Sequence, residues 1–94
     1  MIRHIVFFTA NDSADLAAIE TGLHLLADIP YHRHFQVSRN LGQDTLSGAV
    51  DLVVYAEFDD ASALADYKLH PLYEQAIRIV RPLRDLRIAA DIEG

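Results

Sequence analysis

The chain has 94 residues, of which 51% are hydrophobic, so we expect one domain, residues 1–94, with enough apolar side chains for a packed core. Its formal net charge of -6 disfavours nucleic-acid binding, which requires a basic surface. The chain contains no cysteine, which excludes disulfides, thiolate metal ligands and cysteine nucleophiles.

The N-terminal residues lead directly into an apolar strand and lack the layout of a signal peptide. No apolar run approaches the length needed to cross a membrane. We therefore expect a cytoplasmic protein with no membrane partner. A core this small favours oligomerisation as a further source of stability.

The first half of the chain predicts a strand, a helix and a second strand. Residues 2–9 form the first strand, and Asp12 or Ser13 is expected to cap the helix that follows. The helix ends before Pro30, and residues 33–39 alternate as the second strand. The apolar stripe of the helix consists of Leu16, Ile19, Leu23 and Leu26.

The second half begins with a glycine-containing loop at residues 40–48 and a strand at 50–58. Residues 59–81 predict a helix that is interrupted at Pro71, because the residue before a proline avoids the helical conformation. Residues 84–92 alternate apolar and polar side chains and predict the last strand.

The order of these elements, βαββαβ, is typical of the ferredoxin-like α+β fold, in which helices cover one face of a four-stranded antiparallel sheet. The first and third strands nevertheless carry apolar residues on both faces, although a sheet with one wet face should alternate. We therefore expect a second copy of the chain to cover the other face. The result would be a homodimer joined through the sheet face, a dimeric α+β barrel.

Alternation along the strands divides the sheet residues between two faces. The helix-covered face is expected to carry the most uniformly apolar sets, Ile5, Phe7, Phe35, Val37, Leu52, Val54, Ala56, Phe58, Leu86, Ile88, Ala90 and Ile92. The dimer-covered face is expected to carry His4, Val6, Phe8, His34, Gln36, Val53, Tyr55, Glu57, Arg87 and Ala89. There, His4, Tyr55 and Glu57 are expected to converge on a partly apolar pocket that could bind and polarise a small carbonyl compound or phenol.

Three segments together resemble a known family. They are IRHIVF at residues 2–7, LVVYAEF at 52–58 and LADYKLHP at 64–71. The chain resembles the stress-responsive A/B barrel family, the dimeric α+β barrel (Dabb) domains, over essentially its whole length. The most specific signal is the aromatic-x-x-His-Pro step combined with the histidine of the first strand. The resemblance implies a homodimer whose two sheets face each other, and most members of the family have no assigned reaction.

One plant member of the family is a polyketide cyclase in which two histidines carry the chemistry. The resemblance places His4 at the first position and Tyr73 at the second. It also matches Tyr67 to a tyrosine of the cyclase pocket and His70 to the histidine of the His-Pro step. A tyrosine has an ordinary pKa of about 10 and is a poor base at neutral pH. Tyr73 in place of the second histidine therefore favours a protein that binds a ligand over one that catalyses the cyclase reaction.

Several of these side chains allow a structural role as well as a functional one. His4 could act as general acid or base, or it could be a structural histidine at the dimer interface. Glu57 could line the pocket or pair with Arg87 across the barrel. His70 could reach a ligand or cap the helix that begins at Pro71.

Two basic clusters point to no site of their own. His32, Arg33 and His34 resemble a metal or anion patch, but only His34 shares the cavity face, so structural or solvent-facing roles are favoured. Arginines recur every third residue from Arg78 to Arg87, but the helix-to-strand change at Pro82 is expected to point them in different directions. No zinc spacing, phosphate loop or nucleophile elbow is present, so we expect no metal and no cofactor.

Two functions follow as hypotheses. The first is a small stress-responsive-type dimer that binds a small, partly apolar ligand or a protein partner. The second is an enzyme on small aromatic or polyketide-like compounds, with His4 as acid or base and Tyr55 or Tyr67 as hydrogen-bond donor. The side chains expected to line the ligand site are Val6, Phe8, Gln36, Val53, Glu57, His70, Tyr73 and Arg87.

Overall fold

The computed structural model describes all 94 residues. Four strands form one antiparallel sheet in the order β2-β3-β1-β4, with the bounds β1 (Ile2–Ala10), β2 (His34–Arg39), β3 (Leu52–Phe58) and β4 (Arg84–Glu93). The α-helices are α1 (Leu16–His24), α2 (Ala61–Leu69) and α3 (Pro71–Val80), and 3-10 turns at Ser13–Asp15 and Leu25–Asp28 flank α1. The predicted ferredoxin-like α+β fold is confirmed. None of the helices is long and apolar enough to cross a membrane.

Side-chain caps set the starts of the helical segments. Asp12 caps the turn before α1, and Asp60 caps α2, each accepting a hydrogen bond from a backbone N–H of the first turn. His70 separates α2 from α3 with an extended backbone, and its Nδ1 accepts a hydrogen bond from the N–H of Leu72 at 3.1 Å. Pro71 follows at the first helical position, where its missing N–H costs no hydrogen bond. Of the two roles considered for His70, the structure therefore places it in the capping one.

The helix-covered face of β1 differs from the assignment by alternation. It carries His4, Val6 and Phe8, all buried, so the placement of Ile5 and Phe7 on this face is wrong. Both alternating sets of β1 are rich in apolar residues, so composition could not separate them. Pairing does, because Val6 lies opposite Val54 of β3, and directly paired residues point to the same face. Val54 is buried beneath the helices, as predicted.

The same register corrects the assignment of β4. Phe7 pairs with Ile88 and Ile5 with Ala90, so the apolar set of β4 lies on the face that the helices leave open. All four members of this set are exposed, and the large ones, Leu86, Ile88 and Ile92, are exposed at 52%, 55% and 49%. Arg87 lies opposite Phe8 on the helix-covered face, and Ala89 lies opposite Val6 there, so their predicted placement on the open face is wrong as well.

The core lies between the sheet and the helices, and it joins the apolar side chains of β1 and β3 to those of α1, α2 and α3. Helices α1 and α3 approach each other closely at Gly22, which is buried. A Cβ atom at this position would lie 2.7 Å from Cγ2 of Ile79 and 3.0 Å from Cγ2 of Val80. The close approach of the two helices therefore depends on the missing side chain.

Candidate functional site

A cavity of about 320 Å³ lies between the helix-covered face of the sheet and the helices. Its volume falls at the lower end of the range of small-molecule sites. Its apolar wall consists of Val6, Phe8, Leu23, Leu26, Val54, Ala76, Ile77 and Val80. Its polar side chains are His4, Tyr67, Tyr73, Lys68, Arg81, Arg84 and Arg87. The cavity therefore lies within one subunit, on the opposite side of the sheet from the predicted pocket.

His4 is deeply buried in the cavity wall, at 2% exposure. Its Nδ1 lies 2.5 Å from Oδ1 of Asp91, the residue opposite it on β4. With Nδ1–H donating to this carboxylate, Nε2 carries the lone pair. Nε2 makes no hydrogen bond within the protein. Every side-chain nitrogen or oxygen that is sealed from solvent does have a hydrogen-bond partner, so Nε2 is not sealed, and it is in contact with the cavity that His4 lines.

Burial lowers the pKa of His4 below its ordinary value of 6.5. The hydrogen bond and charge of Asp91 oppose this shift, while the nearby positive charges of Lys68 and Arg87 add to it. The imidazole is therefore neutral at neutral pH and can accept a hydrogen bond or a proton at Nε2. Of the two roles considered for His4, the place at an interface between sheets is excluded, because the ring lies beneath the helices.

Tyr67 and Tyr73 form an aromatic wall next to His4. The ring of Tyr67 makes edge contacts with those of His4 and Tyr73, at centroid distances of 6.3 Å and 5.3 Å. The Tyr67 hydroxyl makes no hydrogen bond within the protein, and by the same reasoning as for Nε2 it is in contact with the cavity. Burial raises the pKa of Tyr67, so the group is a protonated hydrogen-bond donor at neutral pH.

Four basic side chains surround the cavity, and no acidic side chain lines it. Lys68 comes from α2, Arg81 follows the end of α3, and Arg84 and Arg87 come from β4. The four arginines were predicted to point in different directions, and this is wrong for Arg81, Arg84 and Arg87, which line the same cavity. Arg78 is the exception, since it pairs with Glu74 on the exposed side of α3 at 2.8 Å.

A β-bulge explains why Arg84 and Arg87, three residues apart on one strand, face the same side. Phe8 pairs with Arg87 and Ala10 with Arg84, so β4 contains one more residue than β1 in this interval. An extra residue reverses the alternation of side chains beyond it. Thr9 accepts a hydrogen bond at Oγ1 from the N–H of Leu86 at 2.8 Å, which satisfies a backbone donor at the bulge.

The predicted meeting of His4 with Tyr55 and Glu57 is wrong. His4 lies opposite Ala56, and the neighbours of Ala56 in the strand point to the other face of the sheet. On that open face the Tyr55 hydroxyl donates to Oε2 of Glu57 at 2.6 Å, a contact that raises the pKa of Tyr55. The alternative pairing of Glu57 with Arg87 is also wrong, because the two side chains lie on opposite faces.

The other predicted ligand contacts divide between the two faces. Val6, Phe8, Tyr73 and Arg87 line the cavity with His4 and Tyr67. Gln36 and Val53 lie on the open face, where the Gln36 amide donates to Oγ of Ser38 at 2.8 Å. His70 caps α3 and is not among the lining residues.

The histidines of the second strand region have structural contacts. His32 stacks on Phe35 at a centroid distance of 5.2 Å, and its Nε2 lies 3.2 Å from the carbonyl oxygen of Leu26. His34 lies on the open face beside Tyr55. No group of three histidine, aspartate or glutamate side chains is placed to share a metal ion.

Sequence reasoning missed four charged residues at the site, together with six of the eight apolar residues that line the cavity. Asp91, Lys68, Arg81 and Arg84 did not enter the predicted pocket, although the three-residue spacing of the arginines was noticed. That spacing was the available signal, and its meaning depended on the bulge in β4. Asp91 could be found only from the pairing of β1 with β4, because 87 residues separate it from His4.

Comparison with known proteins agrees with this architecture. A family model described as the stress responsive A/B barrel domain, Dabb, matches residues 2–94. The chain belongs to this family. The family assignment made from the sequence is therefore confirmed. No curated protein matches the chain.

Several solved structures share the Dabb fold of this chain. A dimeric ferredoxin-like protein of unknown function from Thermobifida fusca is 29% identical with a TM-score of 0.81, over 97% of this chain and 88% of that one. A Dabb family protein from Mesorhizobium loti is 22% identical with a TM-score of 0.81, over 99% and 95%. An antibiotic biosynthesis monooxygenase is 9% identical with a TM-score of 0.81, over 100% and 98%. At 22% and 9% identity, the last two show a common fold only.

Proposed function

We propose that this Dabb protein binds a small, partly apolar molecule in the cavity beneath its helices. The observation that carries the proposal is a pair of polar atoms with unused hydrogen-bonding capacity, Nε2 of His4 and the hydroxyl of Tyr67, at the wall of an apolar cavity. Because both atoms are in contact with the cavity, water can bond to them in the free protein, and a ligand that displaces this water has to replace its hydrogen bonds. A ligand that accepts from Tyr67 and donates to His4 would use both groups.

The chemistry of the wall describes the ligand. Eight apolar side chains surround these polar atoms, so most of the ligand surface would meet hydrocarbon, and a few polar contacts would orient it. Small phenols with a short alkyl chain have this character. They present one hydroxyl to the polar atoms and an apolar body to the remainder of the cavity.

The test is binding of 4-propylphenol, followed by shifts in amide NMR signals. We expect shifts confined to residues around the cavity. Tyr67→Phe keeps the ring and removes the hydroxyl, so affinity should fall about tenfold, the effect of one lost hydrogen bond. Tyr55→Phe makes the same change on the open face and should leave affinity unchanged. No binding to the unsubstituted protein, or equal losses in the two variants, would contradict the proposal.

We further propose that two copies associate through the open face of the sheet. This face exposes Phe7 at 39% together with the exposed isoleucines and leucine of β4. A contiguous apolar patch of this kind marks an interaction surface. The relative from Thermobifida fusca is described as dimeric, which supports a second copy of the chain as the partner.

Sedimentation equilibrium at micromolar concentration tests the association. We expect twice the 10.5 kDa mass of the chain. Ile88→Asp would place a charge in the patch and should give a monomer. Leu69→Asp is the matched control, since Leu69 is 81% exposed at the end of α2, away from the sheet face. A monomeric unsubstituted protein would overturn the proposed dimer.

A second function, catalysis at the same cavity, is favoured by the His4–Asp91 pair. A neutral imidazole held by a carboxylate can take a proton at Nε2, and the carboxylate then stabilises the imidazolium. Tyr67 could donate to the oxygen of a carbonyl compound as an enolate forms. Tyr55 is separated from the cavity by the sheet, so it has no part in this proposal.

The enzyme proposal is tested by exchange of the methyl protons of 4-hydroxyacetophenone in D₂O. We expect catalysed exchange that His4→Ala abolishes and that His24→Ala leaves unchanged, because His24 is exposed at the end of α1. Sedimentation would show that His4→Ala still assembles like the unsubstituted protein. Exchange that survives His4→Ala would remove His4 from the mechanism.

A further inference from the structure

The basic residues of this chain are unevenly distributed. The chain has 8 lysines and arginines against 14 aspartates and glutamates, yet four of the basic side chains line the cavity. Outside the cavity, Arg33, Arg39 and Arg78 each form an ion pair with a carboxylate. The four cavity residues, Lys68, Arg81, Arg84 and Arg87, form none. Arg3, the one remaining basic side chain, also forms none, so four of the five unpaired cations of this acidic protein are gathered at the cavity.

The fold brings the four cations together by two devices. The bulge in β4 turns Arg84 to the side of the sheet that Arg87 occupies. The short turn after α3 carries Arg81 to the same cavity, and Lys68 approaches from α2. The carboxylate of Asp91 is already bonded to His4, and Asp91 is not among the lining residues.

The charges act on the interior of the cavity and not only at its rim. Lys68 and Arg87 both help to lower the pKa of His4, and Arg87 opposes the rise in the pKa of Tyr67. The Arg87 guanidinium also lies 3.5 Å from the hydroxyl of Tyr73, at the outer limit of a hydrogen bond. Positive potential therefore reaches the atoms that a ligand would contact.

We infer that the cavity selects a small anion, a molecule with an apolar body and a carboxylate or phosphate head group. The apolar body would pack between the sheet and α3, and the head group would meet the guanidinium groups of Arg84 and Arg87. Guanidinium binds both head groups through paired, charge-assisted hydrogen bonds. The inference rests on the proposed binding function and adds the charge class of the ligand.

The test compares three probes with the same apolar body, 4-butylbenzoate, 4-butylphenyl phosphate and the neutral 4-butylbenzamide. Affinities would be measured by NMR at low and high salt. At low salt we expect at least one anion to bind about tenfold more tightly than the amide, with the advantage reduced by salt. The anion that binds more tightly would identify the head group.

Two variants locate the selection. Arg87→Met keeps much of the side-chain volume and should remove most of the advantage of the anion over the amide. Arg78→Met is the matched control, because Arg78 lies outside the cavity, and it should preserve the advantage. The inference is overturned if amide and anions bind the unsubstituted protein equally, a result that leaves the proposed binding function standing. If none of the three probes binds, the inference fails, and the binding of 4-propylphenol decides separately whether the proposed function stands.

Discussion

Nδ1 of His4 and Oδ1 of Asp91 lie 2.5 Å apart across the pair of strands at the edge of the sheet. The two residues are 87 positions apart in the chain and directly opposite each other in the register of β1 and β4. His4 is 2% exposed and Asp91 is 41% exposed, so the contact connects the buried cavity to the edge of the sheet. Sheet register therefore holds the imidazole with Nε2 toward the cavity.

Replacing this carboxylate by an amide should lower the pKa of His4 further. Asp91→Asn keeps an oxygen that can accept from Nδ1–H, but it removes the negative charge that opposes the effect of burial. An NMR titration of the His4 ring protons measures the change. Asp85→Asn removes a charge from the same strand, away from His4, and should leave the pKa of His4 unchanged. An unchanged or raised pKa in Asp91→Asn would show that the pair does not act on His4 as described.

The stability of the fold should decline in acid because of His4. Its folded pKa is below 6.5, so as pH falls through 6.5 the unfolded chain takes up a proton that the folded chain does not. The free energy of unfolding is therefore unaffected by His4 above this pH, and it decreases as pH falls from about 6.5 toward the folded pKa. Urea unfolding between pH 7.5 and pH 5 measures the slope.

Two substitutions assign this slope to its residue. His4→Gln removes the titrating group, so part of the decline below pH 6.5 should disappear whatever the overall stability of the variant. His24→Gln changes an exposed histidine at the end of α1 and should preserve the slope. The same slope in both variants would exclude His4 as its source.

The junction between α2 and α3 should depend on the side chain of His70. His70→Ala removes the acceptor for the N–H of Leu72, so the free energy of unfolding should fall by about 1 kcal/mol. His70→Asn offers an amide oxygen at the same place and should retain most of the stability. Urea denaturation of the three proteins decides, and an alanine variant as stable as the asparagine variant would contradict the capping role.

Gly22 should resist substitution although it lies within a helix. Alanine is the better helix former by about 1 kcal/mol, but its Cβ would meet Cγ2 of Ile79 at 2.7 Å. We expect Gly22→Ala to lower the free energy of unfolding by about 1–2 kcal/mol, the cost of overpacking. In an Ile79→Ala background the same substitution should cost clearly less, because the shortest contact is gone and only the one with Cγ2 of Val80 at 3.0 Å and that with Cβ of residue 79 remain. Equal effects in both backgrounds would contradict the steric explanation.

Much of the fold could be predicted from local patterns. The order of the elements, the apolar stripe of α1 and the break at Pro71 depend on near neighbours in the chain, and the structure has them in the expected places. The buried face of β3 was also predicted correctly, because its two alternating sets differ clearly in polarity. In β1 both sets are rich in apolar residues, and the wrong one was assigned to the helices.

The prediction of the candidate site depended on which face of β1 was assigned to the helices. Because His4 was placed on the open face, it was grouped with Tyr55 and Glu57, which lie on the other side of the sheet. Tyr67 and Tyr73 were named for their resemblance to family positions, and the structure has both of them beside His4. The arginines were noticed by their spacing, but a helix, a turn and a bulged strand decide where each one points.

By itself, the sequence determined the βαββαβ order, the family and the presence of more apolar surface than one layer of helices can cover. These properties follow from composition and from contacts between residues close in the chain. Only the tertiary structure decided which face of the sheet holds His4, that Asp91 is its partner, and that three arginines surround one cavity. Each of these depends on strand register, which is set by pairing between segments up to 87 residues apart, and a shift of one residue reverses every side chain on a strand.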